Sequence, residues 1–290
     1  MDMVKPRVGF IGLGVMGQSM AGHIVDAGYE VYLFNRSRDK AEALVAKGAV
    51  WEDTVAALAA KVDVVMTIVG YPADVESVYL GPEGLLENLA EGSLAIDMTT
   101  SDPTLAKRLY QEGKSRNIRV MDAPVSGGDL GAKNGCLSIM VGAEAMDFQL
   151  ALPLFETMGK NIVLQGPPGA GQHTKMANQI AIAAGMVAMC ESLAYAKKSG
   201  LDLETVLASI GQGAAGSWSL NNLGPRIIKG DFEPGFFVKH FIKDMGIALE
   251  SAQSMGLDVP GLALALELYE KLAGQGDQDR GTQALYKLFD

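Results

Sequence analysis

The stretch Arg7 to Ser37, RVGFIGLGVMGQSMAGHIVDAGYEVYLFNRS, constrains this chain more than any other. A β-branched run leads into Gly12-x-Gly14-x-x-Gly17, a helical pattern follows, and a second strand pattern ends at Asn35-Arg36-Ser37. Strand, glycine turn, helix and strand in that order make a βαβ unit with parallel strands and a helix laid on the sheet. Glycines at these three places permit a tight turn, a close approach of backbone to a ligand, and close packing of helix on strand. The helix N-terminus that follows favours an anion. The loop from Gly12 through Leu13, Gly14, Val15 and Met16 to Gly17 is therefore read as a pyrophosphate cradle for a dinucleotide.

The alternation continues through EVYLFN, DVVMTIV, SLAIDM, IRVMDAP, LSIMVG and NIVLQG, with helical patterns between. It predicts an α/β fold, a doubly wound parallel sheet with helices on both faces. After Gly166 strand-like runs cease, and helical patterns follow near 172–199, 202–211, 217–228, 239–255 and 260–274. The Pro/Gly cluster QGPPGAG marks the change, so the chain divides into an α/β domain over 1–164 and an all-α domain over 165–290.

A net charge of −10 argues against a nucleic-acid or anionic-membrane partner, both of which repel an acidic surface. The longest apolar run, Ile180 to Cys190, is too short to span a bilayer. No signal segment is read at the start of the chain, and Cys136 and Cys190, each among apolar neighbours, read as buried free thiols of a cytoplasmic protein.

Which dinucleotide is bound is decided at the end of the second strand, where an acidic residue commonly holds the ribose hydroxyls of NAD. Here that place reads Asn35-Arg36-Ser37-Arg38. No carboxylate repels a 2′-phosphate, a guanidinium grips one bidentately, and Asn and Ser hydrogen-bond it. NADP(H) is favoured over NAD(H); the alternative is that Arg36 and Arg38 are merely solvated, which leaves NAD(H) open. Val69-Gly70, Thr99-Thr100 and Ser126-Gly127-Gly128 also fall where strands end, and open α/β sheets bind ligands beyond those ends.

Gly127 and Gly128 expose backbone N–H groups beside the Ser126 hydroxyl, a combination suited to a substrate carboxylate and equally to a plain structural turn. Lys175, Asn178 and Gln179 share a helical face with Ile182, Met186 and Met189, so all three polar side chains face protein. The run from Ile180 to Cys190 is apolar on nearly every side, which predicts a helix buried along much of its length. A lysine so placed, with its pKa pushed down by low dielectric, is a candidate proton donor and acceptor; a snorkelling lysine is the alternative. In HFIKDMG, Lys243 and Asp244 read as a solvated face, the alternative being that Asp244 partners Lys243; no histidine has metal-ligand spacing, so no metal is assigned.

Taken together, GFIGLGVMGQSMAGHIVDAG, DMTTSDP, DAPVSGGDLGAKNGCLSIMVGA, GAGQHTKMANQ and FIKDMGIALESA match, in order and almost end to end, the β-hydroxyacid dehydrogenases, the group of 3-hydroxyisobutyrate dehydrogenase and tartronate semialdehyde reductase, which the chain resembles. The resemblance implies a Rossmann-like N-terminal domain, an all-helical C-terminal domain and an active site in the cleft between them. It implies that Ser126, Gly127 and Gly128 bind the substrate carboxylate, that Lys175 acts in proton transfer, and that Asn178 orients the substrate. It further implies that Lys243 approaches cofactor and substrate and that Thr100 contacts the cofactor. Many relatives carry Asn-Asn where this chain has Asn178-Gln179, a departure that blurs the substrate and leaves the proton transfer in place. The substrate expected is a small carboxylated aldehyde or hydroxy acid, and the apolar helix predicts a homodimer or homotetramer. The alternatives are an imine reductase, whose relatives usually lack the lysine, and a silent dinucleotide-binding module, which needs neither Lys175 nor the Ser126 loop.

Overall fold

The computed structural model describes residues 5–290. Two compact units divide between Lys175 and Met176, six residues into a helix that begins at Ala170.

The first unit is built on nine strands: β1 (Val8–Ile11), β2 (Val31–Phe34), β3 (Val50–Trp51), β4 (Val64–Thr67), β5 (Leu94–Asp97), β6 (Arg119–Asp122), β7 (Val125–Ser126), β8 (Leu137–Gly142) and β9 (Gly159–Gly166). They form one sheet in the order β3-β2-β1-β4-β5-β6-β8-β7, with β9 paired to β8. All seven runs read as strands from the sequence are strands, and the two-residue β3 and β7 join them. Successive residues point to opposite faces, and both faces are buried. Val8, Phe10, Val64, Met66, Leu94 and Ile96 pack into one core with Met20 and Ile24 of helix Gly17–Asp26. Ile11, Val65, Ala95 and Val120 pack into another with Leu58, Val75 and Leu109.

The sheet is parallel from β3 through β6, but β8 runs antiparallel to both β6 and β7. The sheet is parallel-dominated as expected, and the antiparallel pairing of β7 with β8 goes with a connection, 127–136, shorter than the roughly dozen residues that a parallel crossover takes. The pairs Ile11↔Phe34, Ile11↔Thr67, Thr67↔Asp97 and Asp97↔Asp122 are in register, so the loops that follow β1, β2, β4, β5 and β6 leave from the same edge. Strand order reverses between β1 and β4, which places the switch point beside the glycine loop.

The second unit is helical: the remainder of helix Ala170–Lys198, then Leu203–Ile210, Trp218–Ile228, Val238–Ser254 and Pro260–Leu272, with short turns of helix to the C-terminus. Met186, Cys190, Leu193, Phe241, Met245, Leu262 and Tyr269 form its core. Asp202 caps Leu203–Ile210 by accepting from Thr205 N at 2.8 Å, and Ser217 caps Trp218–Ile228 by accepting from Leu220 N at 3.0 Å.

Three expectations need correction. Helix Ala170–Lys198 is not covered on every side: Ala177, Ala181, Ala184 and Ala188, four or three residues apart, lie on an exposed stripe. At 29 residues it is also much longer than its apolar run, because Gln172, Lys175 and Gln179 continue the same helix. By length and composition alone it is the one helix among the described residues that could cross a membrane. Cys136 is exposed, lying in the turn before β8, whereas Cys190 is buried in the helical core with its thiol pushed up to about 12 by that burial.

Candidate active site

The glycine loop has the tight turn and the close helix packing read from its spacing, and it leaves open space at Gly14. Gly12 sits at φ +100, and a Cβ there would stand 2.0 Å from the Ile68 carbonyl oxygen, so only glycine lets the loop after β1 lie on the loop after β4. A Cβ on Gly17 would meet the Gly12 carbonyl at 1.9 Å, so the helix starts tight against the turn. Around Gly14 a Cβ meets nothing within 4 Å, and the residue is exposed. That open backbone at the mouth of a helix, on the sheet edge where the strands end, fits a dinucleotide pyrophosphate, which needs approach unobstructed by a side chain. Val15 is exposed and Met16 half-buried, while Leu13 points into the core.

Asn35 does something the sequence did not suggest. Its Oδ1 accepts from Leu13 N at 3.0 Å and its Nδ2 donates to the Ser37 carbonyl at 2.9 Å, so its amide braces the glycine loop against the end of β2. Ser37 is exposed. Arg36 projects into solvent with 83% of its side chain exposed, and its Nη1 lies 3.4 Å from Asp74 Oδ1. Asp74 is held in place because its Oδ2 accepts from Tyr71 N at 3.1 Å, at the start of helix Pro72–Leu80. Arg38 lies over the Trp51 ring, 5.6 Å from its centroid.

At the ends of β4 and β5 the loops are laced together. Val69 N donates to Thr99 Oγ1 at 3.0 Å; Val69, Gly70 and Thr100 are half-buried, and Thr99 is buried. Asp97, wholly buried, accepts from Thr67 Oγ1 at 3.0 Å and from Thr99 N at 3.1 Å. Burial pushes its carboxyl up to about 6, against the pull of those hydrogen bonds.

The end of β6 anchors the helix that bears Lys175. Asp122 Oδ1 accepts from Gly169 N at 2.6 Å, and its Oδ2 accepts from Gln172 N at 2.7 Å. A carboxylate thus meets the otherwise unpaired N–H groups at a helix start. A Cβ on Gly142 would lie 2.5 Å from one oxygen of Asp122 and one on Gly171 2.8 Å from the other, which explains small residues around this clasp. Burial raises the Asp122 carboxyl to about 6, while hydrogen bonds from Gly169 and Gln172 oppose the rise. The Gln172 side chain adds a second tie, accepting from Ser101 N at 3.0 Å and donating to the Thr99 carbonyl at 2.7 Å. Neither Asp122 nor Gln172 is a site residue in the sequence reading. The available signals are an aspartate closing an apolar strand and a glutamine three residues before Lys175 on the same helical face.

Lys175 is buried, as its helical face predicts, and its Nζ donates to the Val125 carbonyl at 2.9 Å. Val125 immediately precedes Ser126, so the ammonium lies beside the loop Ser126-Gly127-Gly128. Ser126, Gly127 and Gly128 are half-buried; the glycines take φ +131 and +63, and a Cβ on Gly128 meets nothing within 4 Å. A lysine and an open glycine turn, expected from separate stretches of sequence, are brought together.

In the helical unit Asn178 is half-buried and Gln179 buried. The solvated reading of Lys243 and Asp244 is overturned: their side chains are 12% and 2% exposed, and Lys243 Nζ lies 2.9 Å from Asp244 Oδ1. Asp244 falls on the inward stripe of helix Val238–Ser254 with Phe241 and Ala248, which is why it is buried. Trp218, at the start of helix Trp218–Ile228, is exposed.

Comparison with known proteins gives the geometry its context. Residues 7–166 match the NAD binding domain of 6-phosphogluconate dehydrogenase, and residues 169–289 match the NAD-binding domain of NADP-dependent 3-hydroxyisobutyrate dehydrogenase. The chain is 58% identical to the uncharacterized oxidoreductase YkwC of Bacillus subtilis, over 99% of both chains. It is 50% identical to a probable mitochondrial 3-hydroxyisobutyrate dehydrogenase-like protein of Arabidopsis thaliana, over 98% of this chain and 86% of that one. Among solved structures, the 3-hydroxyisobutyrate dehydrogenase of Mycobacterium tuberculosis with L-serine superposes with a TM-score of 0.90 at 28% identity, covering 98% of this chain and 99% of that one. A Rossmann-like sheet with its glycine loop, followed by a helical domain of this kind, defines an NAD(P)-dependent oxidoreductase. This chain belongs to the β-hydroxyacid dehydrogenase family.

Proposed function

We propose that this chain interconverts a short β-hydroxy acid and its semialdehyde, of the 3-hydroxyisobutyrate, tartronate semialdehyde or succinate semialdehyde kind, with Lys175 as general acid and base. The observation that carries the reading is the placement of Lys175: a buried ammonium tied at 2.9 Å to the Val125 carbonyl, one residue before the Ser126 loop. The open backbone at Gly128 and the half-buried Ser126 hydroxyl suit a carboxylate, and an acid held there presents its β-carbon oxygen toward the lysine. Lys175 then gives a proton to the alkoxide oxygen during reduction and removes it from the hydroxyl during oxidation. The bound nicotinamide supplies the chemistry of hydride exchange at the same carbon. Asn178 orients the substrate, and Lys243 adds positive charge for substrate and cofactor.

NADP(H) is the favoured cofactor. Its support is the exposed Arg36 at the end of β2, the absence of a carboxylate among Asn35, Arg36 and Ser37, and the NADP-dependent family whose domain model matches residues 169–289. A homodimer or homotetramer belongs to the same reading, supported by the exposed alanine stripe of helix Ala170–Lys198.

The test is turnover of methylmalonate, tartronate and succinate semialdehydes with NADPH and with NADH, alongside a binding titration of each cofactor. Turnover of at least one aldehyde, faster with NADPH, is the expected result. Tight cofactor binding with no turnover across the panel would instead mark a silent binding module.

A further inference from the structure

We propose that Gln179 and Asp244 are positioning residues, which through one directional chain of side-chain contacts fix how the Asn178 amide and the Lys243 ammonium are presented. The inference rests on the reading above, in which Asn178 and Lys243 serve substrate and cofactor.

The chain begins at Asp244, whose side chain is 2% exposed. Its Oδ2 accepts from Gln179 Nε2 at 2.6 Å, and its Oδ1 lies 2.9 Å from Lys243 Nζ. Gln179, also buried, accepts on Oε1 from Asn178 Nδ2 at 2.8 Å. Helix Ala170–Lys198 supplies the two amides, and helix Val238–Ser254 supplies the ion pair.

The direction follows from what each group is able to do. An ionised carboxylate only accepts, so the Gln179 amide has to turn its NH₂ toward Asp244; the reverse orientation sets oxygen against oxygen. With NH₂ committed, Oε1 faces Asn178, and Asn178 in turn has to present its own NH₂ to Gln179. One buried negative charge therefore selects one of two orientations in two successive amides. The second oxygen of the same carboxylate attracts the Lys243 ammonium as an ion pair at 2.9 Å, without hydrogen-bond geometry. Water, which adapts to either orientation, is largely excluded at Gln179 and Asp244, so the selection is not diluted by exchange. A glutamine suits this position because its extra methylene lets the amide span from Asn178 to the neighbouring helix.

Exchanging the two groups tests the chain. In the full-length protein, kcat and KM for the semialdehyde that is turned over fastest, the NADPH dissociation constant and Tm are measured for Gln179→Glu, Asp244→Asn and the double variant. Gln179→Glu faces two buried carboxylates and Asp244→Asn removes the acceptor that sets the direction; each is expected to lower kcat by at least about tenfold, within the range of coupling seen in one network. In the double variant the carboxylate now carried by the helix of Asn178 accepts both from Asn178 and from the new amide on the neighbouring helix. The Asn178 orientation returns, and kcat recovers to within about threefold of the parent, near the lower end of such couplings. Lys243 has then lost its carboxylate, and the weakened NADPH binding or raised KM does not recover. A merely structural tie moves kcat, KM and Tm together in all three variants. Gln179→Met, close in shape and unable to transmit direction, leaves Asp244 Oδ2 without its donor, so it is expected to lower Tm by a few degrees and, assayed well below that Tm, to lower kcat by at least about tenfold; it covers the case where the charged variants fail to fold. Parent-like kcat in Gln179→Met, or joint recovery of every constant in the double variant, overturns the proposal. Unchanged kinetics in Asn178→Ala and Lys243→Ala would overturn the functional reading beneath it.

Discussion

Lys175 Nζ and the Val125 carbonyl oxygen stand 2.9 Å apart, joined by a hydrogen bond that the ammonium donates. The contact ties the start of helix Ala170–Lys198 to the residue that precedes Ser126, and it is reinforced from behind by Asp122, which holds Gly169 N and Gln172 N. A buried lysine without a partner is costly, whereas one that donates to a carbonyl is held in a single place. In the proposed mechanism the clasp at Asp122 and Gln172 bears on chemistry through geometry, by fixing where the helix that carries Lys175 begins.

The glycine loop makes a prediction in which folding and binding separate. Gly14→Ala adds a Cβ that meets no protein atom within 4 Å, so Tm is expected to stay within about 2 °C of the parent, as for other surface changes. Its methyl occupies the approach that the proposed reading gives to pyrophosphate, and NADPH affinity is expected to fall at least about tenfold. Gly12→Ala forces φ +100 on alanine and a contact of 2.0 Å with Ile68 O, so it should destabilise the fold as well. Thermal melts and cofactor titrations of both variants decide the matter; equal loss of stability in the two would contradict the assignment of Gly14.

In the proposed reading, cofactor choice turns on Arg36 and its neighbour. Asp74 Oδ1 lies 3.4 Å from Arg36 Nη1, so a 2′-phosphate entering there competes with a carboxylate that the helix start holds in place. Arg36→Ala is expected to weaken NADPH by about tenfold while leaving NADH nearly unchanged, the discrimination that a lost charge-assisted pair supplies. Asp74→Asn keeps an acceptor for Tyr71 N and removes the competing charge, so the ratio of NADPH to NADH affinity should rise. A fall in that ratio on removing Asp74 would show that the carboxylate aids NADP(H) instead of opposing it.

Stability should depend on pH through Asp97 and Asp122. Burial raises both carboxyls to about 6, above the roughly 3.9 of an unfolded aspartate, so the folded chain binds more protons than the unfolded one between these values. Their contribution to stability is fully present below about pH 4 and is lost as the pH rises through about 6. Urea denaturation across this window is expected to show that loss, with a smaller slope in Asp97→Asn, which keeps an oxygen for Thr67 and Thr99. An unchanged slope in that variant would remove Asp97 as a source.

Much of this was legible before any coordinates, and the reasons are local. Runs such as VGFI and VVMT declare buried strands because both faces of a parallel sheet are apolar, and the spacing of Gly12, Gly14 and Gly17 states its own geometry. Lys175 was legible because a helical period places it in line with Met186 and Met189. Strand β7 was not, since two residues carry no period, and the antiparallel return of β8 depends on the length of a connection. The Asp122 clasp and the Gln172 tie join residues far apart in the chain through backbone N–H and carbonyl groups, for which side-chain patterns hold no record. For Asp244 the residue type favours a solvated face over pairing with Lys243, whereas the stripe outlined by Phe241, Met245, Ala248 and Ala252 places it inward, where the pair forms.

The most direct measurement of the central claim is single-turnover and steady-state kinetics of Lys175→Met beside its NADPH dissociation constant. The account predicts a loss of roughly two to four orders of magnitude in kcat, the contribution of a positioned proton donor, with cofactor affinity within about threefold of the parent. Turnover within about tenfold of the parent, with aldehyde and NADPH bound normally, would contradict Lys175 as the group that exchanges the proton.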